Sequence, residues 1–168
     1  FTSGKINDIS GMDNDVGDVI DQTRSISHAL HPSFIQKLGL ERSLVSLTEN
    51  TQSKTGLICS LDIDEAENLE LLNAEAQTQV YRIIQECINN TLKHAEATAL
   101  KISITQHANE FIVKYQDNGI GISDVNKSID GIGLQIIQER AMNIKGKVQI
   151  NTGKGKGYTL ILTFTQLD

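Results

Sequence analysis

The segment that decides the fold reads YRIIQECINNTLKHA and runs from Tyr81 to Ala95. At about 100° per residue, a helix over this segment has one apolar side and one polar side. The apolar side carries Val80, Ile83, Ile84, Cys87, Ile88, Thr91, Leu92 and Ala95. The polar side carries a carboxylate, an amide, an ammonium and an imidazole, from Glu86, Asn90, Lys93 and His94. The pattern predicts a helix that packs on a core and presents this polar row to a ligand such as a metal-bound polyphosphate.

Length and charge limit what the chain can be. Its 168 residues suit one compact domain with an appendage, because domains of about 100–150 residues are the commonest. Its formal net charge of -6 argues against a nucleic-acid surface, which needs clustered lysine and arginine. No apolar run approaches the ~20 residues of a membrane span, and no signal segment opens the chain. The composition predicts a cytoplasmic domain, with any membrane anchor in sequence outside this chain.

The first residue and the cysteines add two expectations. The chain opens with Phe1 instead of Met and with a segment that has no periodic pattern, which indicates a piece of a longer protein. Two cysteines are too few for a disulfide framework. Cys59 lies in a strand-like apolar setting and Cys87 in a helical one, so both are expected to be reduced core residues, as in a cytoplasmic protein.

The spacing of apolar residues predicts the order of the elements. Helical intervals predict helices over residues 12–30, 38–54, 74–94 and 134–144, with Pro32 closing the first. Apolar runs and alternation predict strands over residues 56–63, 99–106, 110–117, 147–152 and 158–164, of which the second and third form a hairpin. The expected fold is α+β, a two-layer sandwich with a mixed, mostly antiparallel five-stranded sheet on about three helices and an N-terminal helical appendage.

Two glycine segments follow the long helix. The segment Asp117-Asn118-Gly119-Ile120-Gly121 comes directly after a strand, where glycines let the backbone approach a flat ligand such as adenine. The segment Gly131-Ile132-Gly133-Leu134 opens a helix, where free N–H groups and the helix dipole favour phosphates. Neither segment matches a Walker A loop or a dinucleotide-binding fingerprint. DNGIG alone is also an ordinary turn sequence, so only the ordered set of segments is specific.

Taken together, ECINNTLKHA, DNGIG, GIGL and GKGYT resemble the N, G1 and G2 boxes and the terminal glycine-threonine segment of one ATPase superfamily. Sensor histidine kinases, gyrase, the heat-shock chaperone and mismatch-repair ATPases share it, and the resemblance covers about residues 40–164. IIQECINNTLKHA followed by GIGLQIIQERA is most similar to two-component sensor kinases with short lids. TRSISHALHPSFIQKLGLERSL resembles the end of their dimerisation segment, which implies a dimerisation remnant over residues 1–33 and an ATP-binding catalytic domain over residues 34–168.

The resemblance implies a role for each member of the polar row. Asn90 is expected to coordinate Mg²⁺ through its side-chain oxygen, since this hard cation prefers oxygen ligands. Lys93 and His94 are expected to contact phosphate oxygens. Glu86 is the expected catalytic residue, which orients a metal-bound water or assists removal of a proton from the phosphate acceptor. Asp117 is expected to accept a hydrogen bond from the exocyclic amine of adenine, which guanine does not offer there.

The resemblance also implies the rest of the ATP site. Residues 123–130 are expected to form a short lid with glycine hinges that orders on nucleotide binding. Tyr158 stands where the family commonly has a small hydroxyl residue, so this sequence departs from the family pattern at that edge of the pocket. The remaining expected ATP-binding residues are Gly119, Gly121, Gly131, Gly133, Leu134 and Thr159.

The resemblance implies transfer of a phosphoryl group to a histidine and from there to a response regulator receiver domain. It also implies a homodimer in the full-length protein. His28 precedes alanine and His31 precedes proline, whereas the subfamily's acceptor histidine precedes an acidic residue, so the acceptor is expected outside this chain. Three alternatives stay open. They are a serine kinase of the same superfamily, a nucleotide switch without transferase activity, and a chaperone- or topoisomerase-type ATPase, which the short lid disfavours.

Overall fold

The computed structural model describes residues 32–64, 66–122 and 132–165. Contacts divide the chain into two units, residues 1–33 and 34–168, and the description below concerns the second. The helix predicted over residues 12–30 and the lid predicted over residues 123–130 lie outside the described residues.

The described part contains four α-helices, five strands and one short 3-10 helix. In chain order they are α1 (Pro32–Leu38), α2 (Leu40–Thr55), β1 (Ile58–Ile63), the 3-10 helix (Ala66–Leu71), α3 (Ala74–His94), β2 (Ala99–His107), β3 (Glu110–Asp117), α4 (Ile132–Asn143), β4 (Lys147–Thr152) and β5 (Tyr158–Thr165).

The five strands form a single sheet in the order β1-β2-β3-β5-β4. β1 runs parallel to β2, and the other neighbouring pairs are antiparallel. Alternate side chains of β3, namely Phe111, Val113 and Tyr115, are buried against the helix layer, while the residues between them lie on the opposite face. The prediction of an α+β sandwich with a mixed, mostly antiparallel sheet on about three helices is confirmed.

Helix α3 forms the centre of the helix layer. Its first turn is capped by Asn73, whose side chain accepts a hydrogen bond from the N–H of Ala76 at 2.8 Å. Its apolar side is buried as the sequence predicts, with Val80, Ile83 and Ile84 fully inaccessible. Leu92 was expected on the same side but is 45% exposed. It lies about 100° from the centre of the apolar arc, so the sheet does not reach it.

The region before β1 differs from the prediction. Pro32 is the first residue of helix α1, a position where the missing N–H of proline costs nothing, and the residues before it lie outside the described part. The single helix predicted over residues 38–54 is interrupted at Gly39, whose φ of 78° is incompatible with an α-helix and favours glycine. A second helix, α2, starts at the next residue.

The two cysteines are free thiols. Cys87 is buried in the core, and burial raises its pKa, so it stays protonated. Cys59 packs at the edge of the core and is only half-buried, which corrects the expectation of a core residue. Among the described helices, none combines the length and the apolar character that crossing a membrane requires.

Candidate functional site

Asp117, the last residue of β3, is a buried carboxylate with three hydrogen-bond donors. The Thr91 hydroxyl donates to Oδ2 at 2.7 Å. The N–H of Gly119 donates to Oδ1 at 2.9 Å, and the N–H of Tyr158 donates to the same oxygen at 3.2 Å. The carboxylate is 4% exposed, so these donors fix its orientation at the end of the sheet.

A second hydroxyl continues this network into the core. The Tyr115 hydroxyl lies 2.8 Å from Thr91 Oγ1, and Tyr115 is fully buried beneath the site. Burial raises the pKa of Tyr115, so the phenol keeps its proton. We refer to Thr91, Tyr115, Asp117, Gly119 and Tyr158 as the Asp117 cluster.

The polar row of helix α3 is built differently. Glu86 and Asn90 are half-buried, whereas Lys93 and His94 are exposed in the last turn of the helix. Within the described ranges, none of these four side chains takes part in a hydrogen bond or an ion pair.

The first turn of α4 approaches the polar row at Gly133. A Cβ atom added at Gly133 would lie 2.6 Å from Glu86 Oε1 and 3.3 Å from Asn90 Nδ2. Only glycine allows this approach without displacing the carboxylate. The first N–H groups of a helix have no partner within the helix, so α4 begins with donors close to the polar row. Leu134 follows in the same turn and is half-buried, while Gly131 lies outside the described residues.

The loop after β3 ties the Asp117 cluster to the end of α3. The N–H of Ile120 donates to the carbonyl oxygen of Ala95 at 2.8 Å, just beyond the last residue of the helix. Gly121 lies beside Gly153 and Gly157 of the β4–β5 turn. Thr91, which holds Asp117, directly follows Asn90 of the polar row. One helix therefore joins both halves of the candidate site.

Thr159 does not belong to this site, which corrects the expectation. In the antiparallel pair of β3 and β5, Asp117 lies opposite Tyr158, and Gln116 lies opposite Thr159. Because neighbouring residues of a strand point to opposite faces, Thr159 is on the face away from Asp117. Tyr158 takes the place beside Asp117, and burial raises the pKa of its phenol. The alternation of β5, in which Leu160 points into the core, was the sequence signal for this.

Sequence reasoning also missed the part played by Thr91 and Tyr115. Thr91 was placed on the apolar side of α3, and Tyr115, an inward residue of β3, was given no role. A hydroxyl on an apolar helix side was the available signal. Only the packing of α3 on β3 shows that the two hydroxyls meet at Asp117.

The donor set suits a magnesium ion held together with phosphates. The carboxylate of Glu86 and the amide oxygen of Asn90 lie one helical turn apart, and Mg²⁺ binds through one or two protein oxygens plus waters and phosphate oxygens. Within the described ranges, no group of three or more His, Cys, Asp and Glu residues is arranged to hold a metal ion.

Comparisons with known proteins agree with this geometry. The family model of histidine kinase-, DNA gyrase B-, and HSP90-like ATPases matches residues 75–167. The sensor histidine kinase ComP of Bacillus subtilis is 31% identical over 150 residues, which cover 88% of this chain and 19% of ComP. The sensor histidine kinase MctS of Rhizobium johnstonii is 32% identical over 144 residues, which cover 84% of this chain and 31% of MctS.

Solved structures share the fold at low identity. The histidine kinase AdeS of Acinetobacter baumannii superposes with a TM-score of 0.66 at 15% identity, covering 98% of this chain and 89% of that one. The histidine kinase domain of the blue-light activated kinase EL346 of Erythrobacter litoralis gives a TM-score of 0.65 at 14% identity, with coverages of 76% and 61%.

The sandwich and the family match define a class of α+β domains, that of these ATPases. The chain belongs to the histidine kinase-, DNA gyrase B-, and HSP90-like ATPase family, and the two curated relatives named above are sensor histidine kinases. It spans less than a third of the length of either curated relative.

Proposed function

We propose that this chain binds Mg-ATP between the polar row, the Asp117 cluster and the first turn of α4, and transfers the γ-phosphate to a histidine. One observation carries the proposal. The side chains of Glu86 and Asn90 lie close to Gly133 and form no hydrogen bond or ion pair in the described part. Thr91, which follows Asn90 in the chain, donates a hydrogen bond to the buried Asp117. An open polar row beside a fixed carboxylate provides separate places for a polyphosphate and for a base.

Each residue would have one task in phosphoryl transfer, which depends mostly on positioning and charge neutralisation. Asn90 would hold Mg²⁺, and the bound ion would neutralise charge that develops on the phosphates. Lys93 and His94 would contact phosphate oxygens, together with the N–H groups at Gly133 and Leu134. Glu86 would orient the acceptor or take its proton. Asp117 would accept a hydrogen bond from the adenine amine.

The wider arrangement is also a proposal. Residues 1–33 would be the end of a dimerisation segment, and residues 34–168 the catalytic domain. The acceptor would be a histidine on a dimerisation helix other than the segment with His28 and His31, in a homodimer of the full-length protein. A response regulator receiver domain would take the phosphoryl group. The domain would act in the cytoplasm, with any membrane anchor elsewhere in the protein.

The metal assignment can be tested with two neighbouring asparagines. Asn90→Ala is expected to remove most of the Mg²⁺-dependent part of ATP affinity, about tenfold or more, because the metal loses its protein oxygen. Asn89→Ala is the matched control, since Asn89 is exposed on a different side of the same turn. Calorimetric titration of ATP with and without Mg²⁺ measures both. Equal Mg²⁺ dependence in the two variants would contradict the assignment.

Transfer itself requires a second experiment. With γ-labelled ATP, the chain alone is expected to form no phosphohistidine, whereas a separately supplied dimerisation helix with its histidine should become labelled. Acid-labile label on that helix, lost in Glu86→Gln, would support histidine kinase activity. Acid-stable label would indicate a serine kinase. Binding without any transfer would indicate a nucleotide switch, and label on His28 or His31 would overturn the proposed acceptor.

A further inference from the structure

Thr91 differs from the other threonines in the described helices. Five threonines lie in these helices, and four of them, Thr48, Thr51, Thr55 and Thr78, donate their hydroxyl proton to the backbone carbonyl four residues earlier. This local bond is the usual choice of a helical threonine. Thr91 instead donates across to Asp117. Some feature of its surroundings must favour the longer-range partner.

The feature follows from which hydroxyl is the donor in each hydrogen bond. A hydroxyl has one proton to donate and two lone pairs to accept with. Because Thr91 gives its proton to Asp117, the bond between Thr91 and Tyr115 must use the Tyr115 proton. Tyr115 is fully buried, and its hydroxyl has no other partner in the described part of the chain. A buried donor without an acceptor is costly, so Tyr115 keeps Thr91 turned toward Asp117.

We infer that Thr91 and Tyr115 are positioning residues that set the base preference of the site through Asp117. The inference rests on the proposed function, since it assumes that Asp117 meets the base. An ionised carboxylate offers about four acceptor positions, and Thr91, Gly119 and Tyr158 use three of them. The fourth position can accept the exocyclic amine of adenine. Guanine carries an oxygen at that place, and this oxygen would face the carboxylate, which can only accept. The neighbouring donors of Thr91, Gly119 and Tyr158 already give their protons to Asp117.

Loss of this pair should therefore change selectivity and not only stability. In Thr91→Val the carboxylate loses a donor and gains freedom to turn. The expected result is about tenfold weaker ATP binding and a smaller ratio of ATP to GTP affinity, measured by calorimetry. Thr91→Ser keeps the hydroxyl and is expected to restore both values to within about twofold. Thr51→Val is the matched control, because it removes a hydroxyl with only a local backbone bond.

Two more variants keep the test valid if Thr91→Val folds poorly. Tyr115→Phe removes the proton that holds Thr91 in place, and it should weaken ATP binding about threefold with a smaller loss of base preference. The double variant Thr91→Val with Tyr115→Phe leaves no orphan hydroxyl in the core. It should recover thermal stability relative to Thr91→Val and still lack the normal preference for ATP.

The outcomes separate this inference from the proposed function. If the unmodified chain binds neither ATP nor GTP, the proposed function fails, and the inference fails with it. If the unmodified chain prefers ATP in an Asp117-dependent way but Thr91→Val keeps the same affinity and ratio, only the positioning role is wrong. Loss of affinity with an unchanged ratio in every variant would also overturn it, since that pattern indicates a purely structural effect.

Discussion

The Asp117 cluster and the polar row adjoin each other where Thr91 follows Asn90 on helix α3, yet they are organised in opposite ways. In the cluster, the side chains of Thr91, Tyr115 and Asp117 are all buried, and each of these three has a hydrogen-bond partner. In the row, Glu86 and Asn90 are half-exposed and form no bond within the described residues. One half of the site is complete before any ligand arrives, and the other half needs a ligand to complete it.

This difference indicates that the two halves of the candidate site contribute to binding in different ways. A group held by several hydrogen bonds loses little freedom when it binds, so a fixed carboxylate gives selectivity at low entropic cost. Under the proposed function, the charged and amide groups at the surface would keep their water and their conformational freedom until a polyphosphate and its metal bind. Removal of a cluster residue should therefore affect stability and binding together, whereas removal of a row residue should affect binding alone.

The largest expected effect is at Asp117. Asp117→Asn should destabilise the fold by about 1–3 kcal/mol, because an amide nitrogen cannot accept the donors that now point at the carboxylate. Nucleotide affinity should fall about a hundredfold. Asp62→Asn is the control, since Asp62 is an exposed carboxylate in a surface ion pair with Lys101 at 3.6 Å. Thermal unfolding and calorimetry measure both quantities, and equal melting shifts in the two variants would show that the fold depends on Asp117 no more than on a surface carboxylate.

A smaller effect is expected where α4 meets the row. Gly133→Ala should weaken Mg-ATP binding about tenfold, because the new Cβ displaces the Glu86 carboxylate, while the free energy of unfolding changes little. The displaced atom is the end of a flexible side chain, so the backbone need not move. Gln135→Ala, an exposed position of the same helix, controls for helix propensity. A large loss of stability in Gly133→Ala would show that this contact is part of the core.

Salt should weaken the binding of ATP severalfold and leave the binding of adenosine unchanged. A rise from about 0.1 M to about 1 M salt shortens the screening length from about 10 Å to about 3 Å. Under the proposed function, the exposed Lys93 and His94 contact the phosphates, so ATP should lose affinity severalfold. Adenosine, which meets only the Asp117 cluster, should bind equally well at both concentrations. Titrations of both ligands test this, and a parallel loss for adenosine would mean that the cluster is not preorganised.

The smallest expected effect is the change in thermal stability when Lys93, at the exposed end of the polar row, is replaced. Lys93→Ala should leave the midpoint of thermal unfolding within about 2 °C of the unmodified chain, since the side chain is exposed and unpaired in the described part. ATP affinity should nevertheless fall. Lys114→Ala, an exposed lysine on the far face of the sheet, is the control for loss of one charge. A marked melting shift in Lys93→Ala alone would show that Lys93 stabilises the fold.

Most of the fold could be predicted from the sequence because it follows from local periodicity. The alternation in β3 and the helical spacing in α3 each bury an apolar surface that has only one direction to face. Gly39 shows the limit of this reasoning. Apolar spacing continues on both sides of it, and only the backbone conformation shows that the helix breaks there.

Residue types and their order in the chain determined the family, the sheet and the members of the polar row, since these depend on spacing along single elements. The tertiary structure alone decided which strand neighbours face each other and where buried protons go. Thr159 faces away from the site, and the partnership of Thr91 and Tyr115 exists only because α3 packs on β3. Contacts between distant segments depend on register and packing, which periodicity within one segment does not contain.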